Sequence, residues 1–200
     1  MIQAIVLAAG RSTRMGEQKL LLPFNGMPMV DFVTKTVLSC GFDGISIVVS
    51  RETMDCIFPI EGANYIVNPN PDHGQDSSFH CALSVLPKNS SFAVFLADKP
   101  TVTARQIMAL RSRFKLLSPE KNALVPRKNG APGHPSFYSH LWKERFLNSS
   151  GASKAVLFQH EKDVEWAEFD DHDDASENLF FDVDTQGDYR RLVESIAENI

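Results

Sequence analysis

Short apolar runs alternate with stretches of helical periodicity along the whole chain, and this alternation restricts the fold more than any other feature. Strand-like runs stand at Gln3–Leu7, Ile45–Val49, Tyr65–Val67, Phe92–Ala97, Ala123–Pro126, Val164–Phe169 and Leu179–Thr185. Between them apolar residues recur at helical spacing, as in Val30, Val33, Val37 and Leu38. Such alternation predicts an α/β domain with a doubly wound, mostly parallel sheet and helices on both faces, in three layers. With 200 residues, one domain spanning 1–200 is expected, large enough for a substantial core. No repeat, low-complexity segment or linker divides it.

The punctuation between these runs is specific. Pro28 suits the first turn of a helix reaching about Cys40, and Gly41 stops it. Arg51–Phe58 reads as a short helix. Thr103 is expected to cap a helix from Ala104 to about Leu117, and Ser77 or Ser78 the helix that passes Leu83. Further helices are expected at His140–Leu147 and Ala152–His160, with an amphipathic helix closing the chain. Val164–Phe169 alternates apolar with polar residues, which predicts a half-exposed or edge strand.

The first strand ends abruptly. After Leu7-Ala8-Ala9-Gly10 come Arg11, Ser12, Thr13, Arg14, Gly16 and Lys19. Gly10 and Gly16 would let the backbone turn tightly and bring amide N–H groups up to an anion, with three cations in the same loop. Gly16 is followed by Glu17, so this is not a Walker A loop, and the glycine spacing is not the dinucleotide fingerprint. An ordinary surface turn shares the composition, so the loop alone leaves both uses open.

Asp98 directly follows the most apolar run, Phe92–Ala97. That places a carboxylate at the carboxyl edge of the sheet, where open α/β sheets bind ligands. A metal role and a turn role both fit it. Asn68–Ser78 is a polar loop leading into a helix, suited to an anion or to a plain connector. Asp170-Asp171-His172-Asp173-Asp174 looks like a metal cluster on paper but has the composition of a solvated turn.

The formal net charge of −5 excludes general affinity for nucleic acid or acidic membrane, but not a local basic pocket. Cys40, Cys56 and Cys81 are scattered and odd in number, as expected of reduced core thiols and not of disulfides or a zinc site. No run is long enough to span a membrane and the first residues have strand character, so a cytoplasmic protein is expected.

In a parallel sheet the Gly10–Lys19 loop, Asp98 and the Asp182/Asp184 pair would meet at one edge. Basic groups would hold phosphates and the carboxylates would hold Mg²⁺, which prefers hard oxygen ligands. Attack on a nucleotide phosphate needs positioning and charge neutralisation more than a protein nucleophile. No Ser/His/Asp or Cys/His arrangement stands out.

These residues resemble a known family, the molybdenum cofactor nucleotidyltransferases. The resemblance runs through Leu7-Ala8-Ala9-Gly10, Arg14-Met15-Gly16, Lys19-Leu20-Leu21, Gly74…Ser77-Ser78, Ala97-Asp98-Lys99-Pro100, Gly133-His134-Pro135, Gly151-Ala152-Ser153-Lys154-Ala155 and Asp182-Val183-Asp184-Thr185, in the family's order. It implies a Rossmann-like, nucleotide-diphospho-sugar transferase type of fold, with an acceptor-side subdomain at about 128–160. It implies transfer of a nucleotidyl group from a Mg²⁺-bound nucleoside triphosphate to a phosphomonoester, releasing pyrophosphate. Ala8-Ala9 is similar to the cytidylyltransferase branch, hence CTP and the pterin of the molybdenum cofactor, molybdopterin, as substrates. A molybdoenzyme or its chaperone is the implied protein partner.

On that resemblance Leu7, Ala8, Ala9, Gly10, Arg11, Ser12, Arg14, Lys19, Gly74, Ser77 and Ser78 would bind the nucleotide. Arg14, Lys19 and Asp98 would be catalytic. Asp98 would hold the metal with Asp182 or Asp184, and Lys99, Pro100, Gly133, His134 and Pro135 would face the acceptor. Four departures stand out: Lys99 where Met or Gln is expected, Asp76 where a neutral residue is expected, Phe79-His80-Cys81 in place of a basic contact, and Gln186-Gly187 in the last helix start. Lys99 could pair with Asp98 or point away from it. A guanylyltransferase, a sugar- or polyol-phosphate nucleotidyltransferase, and a non-catalytic carrier of nucleotide or cofactor share much of the pattern.

Overall fold

The structure, a computed structural model, describes residues 1–10, 15, 18–149, 152–170 and 178–197. β1 (Ile2–Ala8) is its centre, buried along nearly its whole length. It pairs in parallel with β4 (Gly44–Val49) on one side and β6 (Ser91–Leu96) on the other. The full path runs β10 (Val164–Phe169), β7 (Ala123–Lys128), β9 (Ser136–Tyr138), β6, β1, β4, β5 (Asn64–Val67), with β8 (Ala131–Pro132) added to β7. Among the described strands of this sheet only β9 and the short β8 run antiparallel. β2 (Pro23–Phe24) and β3 (Met27–Pro28) form a separate hairpin.

Period-two alternation along β1 builds the layers. Ala4, Val6 and Ala8 face α1 (Met29–Leu38) and α4 (Ala104–Lys115) through Val30, Val33, Ile107 and Leu110. Ile5, Leu7 and Ala9 face α3 (Gln75–Val85), α5 (Leu141–Leu147) and α6 (Ser153–Gln159) through Phe79, Leu83, Trp142, Phe146 and Leu157. Each fully buried side chain of this size contributes about 1.5–3 kcal/mol from leaving water. The mostly parallel sheet in a three-layer α/β domain is thus as the sequence predicts, and β10 is one of its edge strands. Among the described residues no helix is long and apolar enough to cross a membrane.

Thr103 caps α4 with Gln106 in a reciprocal box, as its spacing predicts. Several boundaries differ. Pro28 precedes α1 and belongs to β3. The helix after Ser50, α2, is one turn long (Arg51–Met54). α3 starts at Gln75, with Gly74 before it at φ +80°, so Ser77 and Ser78 lie inside its first turn and do not cap it. Their hydroxyls instead accept from Asn68 Nδ2, and Ser77 also donates to the carbonyls of Asn70 and Gly74. The thiols are free, but only Cys40 is a core residue: Cys56 is exposed and Cys81 half-buried.

The largest correction concerns Leu179–Thr185. Residues 181–184 form no ladder. Val183 donates one hydrogen bond to the Asp98 carbonyl, 3.1 Å, and packs beside Met15, Phe24, Met29 and Leu192. The run is apolar because it covers the end of the sheet, not because it pairs within it. The closing helix, α7 (Gln186–Ala197), follows at once. The stretch 128–160 supplies β9, which lies within the sheet between β6 and β7, as well as α5 and α6 on one face.

Candidate active site

The path of the chain creates the site. From β1 it moves outward to β4 and β5, then crosses back to β6 on the other flank of β1. The carboxyl ends of β1 and β6 therefore diverge side by side at a topological switch point, the place where open α/β sheets bind ligands. Gly10 follows the end of β1 and Asp98 the end of β6, with Ala97 N–H bonded to Leu7 O at 3.1 Å.

A cleft of about 320 Å³ opens there, lined by Leu7, Ala9, Gly10, Lys19, Gly74, Gln75, Ser78, Leu96 and Asp98 among others. Gly10 needs no left-handed backbone. A side chain there would meet nothing within 4 Å, so what its hydrogen leaves is open space. Ala8 is packed in the core. Arg11, Ser12 and Arg14 lie outside the described residues, as do Gly16, Gly151 and positions 171–174 of the acidic run.

Charge is concentrated at the cleft floor. Lys19 Nζ sits 2.7 Å from Asp98 Oδ2 and 2.9 Å from Asp184 Oδ1, with only 11% of its side chain exposed. Burial alone would lower the pKa of this ammonium, but Asp98 and then Asp184 outweigh it and raise it. Among the described residues Asp98 Oδ1 is buried without a hydrogen-bond partner. A buried carboxylate oxygen left unpaired at a cleft is a position that suits a cation. Among the described residues no three His, Cys, Asp or Glu side chains gather into a metal cluster. Asp98 and Asp184, bridged by one lysine, offer hard carboxylate oxygens.

Lys99 resolves the choice left open by the sequence: it points away from Asp98, to Asp182 Oδ1 at 2.7 Å, with 6% of its side chain exposed. Asp182 is raised above the ordinary carboxylate range by burial, against the opposing pull of Lys99 and with help from Asp98 and Asp184. Asp184 is held by the start of α7. There Thr185 and Asp188 exchange hydrogen bonds, and Asp188 also accepts from Asp184 N–H at 3.3 Å. The Thr185 hydroxyl is the main cause holding Asp188 down at about 2. Gln186-Gly187 is tolerated because this box caps the helix.

A second cleft, about 270 Å³, shares Leu7 and Gln75 with the first. Gly133 and His134 line it with Asp76, Phe79, Ser136, Tyr138, Phe146, Ser153 and Lys154. Of the other residues expected near an acceptor, Pro100 is buried, and Lys99 and Pro135 border a small recess together with His134. Gly133 has no room for a side chain, since a Cβ would stand 2.5 Å from the Phe180 ring. Gln75, Asp72 and Lys154 are cleft residues to which sequence reading assigns no role, although Lys154 lies within a quoted motif. Their position in or beside quoted motifs was the available signal.

His134 Nδ1 donates to Val94 O at 3.2 Å. Burial, then the Lys99 ammonium, lower its pKa from 6.5 to about 4, against the Val94 bond and Asp98. Its folded pKa lies below the unfolded value. The stability it contributes is therefore complete above pH 6.5 and lost as pH falls toward about 4. Because part of the side chain meets solvent, the loss is expected to be about 2 kcal/mol. His134→Gln should flatten the decline of melting temperature between pH 6.5 and 4. An unchanged decline would place that dependence in other groups.

Three comparisons bear on this geometry. Residues 4–164 match the MobA-like NTP transferase domain. The molybdenum cofactor cytidylyltransferase of Escherichia coli K12 is 25% identical, covering 98% of both chains. Rv0371c of Mycobacterium tuberculosis H37Rv superposes with a TM-score of 0.79 at 24% identity, over 96% of this chain and 97% of that one. Its manganese complex superposes at 0.73 with the same identity, over 97% and 98%. CMP:2-keto-3-deoxy-manno-octonic acid synthetase complexed with CTP superposes at 0.78 with 12% identity, over 100% and 99%.

Proposed function

The chain belongs to the MobA-like NTP transferase family, a nucleotidyltransferase enzyme, and from that premise we propose that it transfers CMP from CTP to the phosphate of molybdopterin, releasing pyrophosphate. The observation that carries this reading is the pair of contiguous clefts sharing Leu7 and Gln75, with Lys19 and Asp98 lining the first and Asp184 paired to the same lysine. One cleft suits a nucleotide and its neighbour a phosphomonoester acceptor. The identity to the E. coli cytidylyltransferase over nearly the full length favours CTP and molybdopterin over other pairs.

In this reading Leu7, Ala9 and Gly10 take the base and ribose, and Gly74 and Ser78 bound the nucleotide on its other side. Lys19, with Arg14 of the same loop, neutralises the triphosphate and the departing pyrophosphate. Asp98 and Asp184 would hold Mg²⁺, which when bound offsets the charge developing on the phosphate oxygens. The manganese complex of Rv0371c supports a divalent ion in this fold. Lys99 retains Asp182 beside the site. Gly133 and His134 face the acceptor, His134 as a neutral imidazole above about pH 5. The protein acts as one domain in the cytoplasm and hands its product to a molybdoenzyme or its chaperone.

Pyrophosphate release is the test. Full-length protein with Mg²⁺ and molybdopterin should release it with CTP at least tenfold faster than with GTP. Release with GTP alone would overturn the base, and release only with a sugar or polyol phosphate would overturn the acceptor.

A further inference from the structure

One acidic side chain in the second cleft has no part in the scheme above. Asp76, in the first turn of α3, stands where the resemblance leads one to expect a neutral residue, and it lines the cleft. Its Oδ1 accepts twice from Ser153, from the backbone N–H at 3.1 Å and from the hydroxyl. These two bonds use both lone pairs of Oδ1 and fix the plane of the carboxylate. Oδ2 has no bond among the described residues. The same cleft is lined by the aromatic residues Phe79, Tyr138 and Phe146, with Phe79–Phe146 centroids 5.0 Å and Tyr138–Phe146 centroids 5.2 Å apart.

An oriented carboxylate oxygen at an aromatic wall selects a particular ligand. It accepts strongly from N–H donors, while the rings take a flat heterocycle. A ring carrying an exocyclic amino group beside a ring N–H presents adjacent donors to such an oxygen. A carbonyl in place of that amino group would set acceptor against acceptor. We infer that Asp76 determines acceptor specificity by reading the amino edge of a 2-amino-4-oxo pyrimidine ring fused as in a pterin, with Ser153 as its positioning residue. This rests on the second cleft being the acceptor site.

The test uses full-length protein with pterin and lumazine, which differ in carrying an amino group or an oxygen at one carbon, each titrated by its own fluorescence. Wild-type protein should bind pterin at least tenfold more tightly than lumazine, the difference a charge-assisted bond supports. Asp76→Asn keeps an acceptor for Ser153 but turns the second atom into a donor, so the preference should fall within threefold of unity at an unchanged melting temperature. Ser153→Ala should weaken the preference partway. Equal binding by the wild type, no binding of pterin, or a preference that survives Asp76→Asn would overturn the assignment. If the preference holds but CTP and molybdopterin release no pyrophosphate, the proposed reaction fails and the role of Asp76 stands. Turnover without the preference overturns Asp76 alone.

Discussion

If Asp98 holds the metal as proposed, Asp98→Ala is expected to lower nucleotidyl transfer by at least about 10³-fold, since losing one hard ligand removes several kcal/mol of transition-state stabilisation. The fold should survive. The contact that ties Asp98 to the 181–184 segment uses its backbone carbonyl, which accepts from Val183 N–H and is retained in alanine. Asp98 Oδ1 is buried without a partner among the described residues, so truncation also removes an unfavourable desolvation. Lys19 keeps Asp184 at 2.9 Å. The change should therefore alter turnover while leaving circular dichroism unchanged and the melting temperature within a few degrees. Turnover within tenfold of wild type would mean that the reaction does not depend on this carboxylate.

Lys19→Met should act on both stability and catalysis. The ammonium now lies between two carboxylates, and its removal leaves like charges facing one another in a partly buried site. Breaking such a cluster from one side costs about 3 kcal/mol. Millimolar Mg²⁺ or Mn²⁺ should restore much of this loss, because a cation bound only by the folded state raises its stability by mass action. The wild type should respond less, since its lysine already supplies positive charge. On the proposed reading, pyrophosphate release should fall about 10²-fold or more even with metal present, because the triphosphate would lose a preorganised cation. A variant that melts like the wild type with and without metal would show that the three groups do not form a coupled cluster.

Both expectations start from residues visible in the sequence, and the failures of sequence reading share one cause. The run Phe180-Phe181-Asp182-Val183-Asp184 has the alternation of a strand, but periodicity reports burial on one side, not ladder bonding. Here the burial comes from Met15, Phe24, Met29 and Leu192. Ser77 and Ser78 have the composition of a cap, but Gly74 at φ +80° begins the helix three residues earlier and turns them toward Asn68. Cys56 sits among apolar neighbours in sequence and is exposed all the same.

Taken alone, the sequence determined the layered α/β architecture, because periods of two and 3.6 are properties of local backbone geometry. It also determined that Gly10 and Asp98 would stand at the carboxyl edge, because each ends a buried strand. Which cation meets which carboxylate was decided only by the tertiary structure. Lys19 is 79 residues from Asp98 and 165 from Asp184, and no local rule couples them. The crossover from β5 to β6 and the fold-back of 181–184 onto Asp98 bring them together. The same long-range packing turns Lys99 away from its neighbour Asp98 and places Asp76 against Ser153.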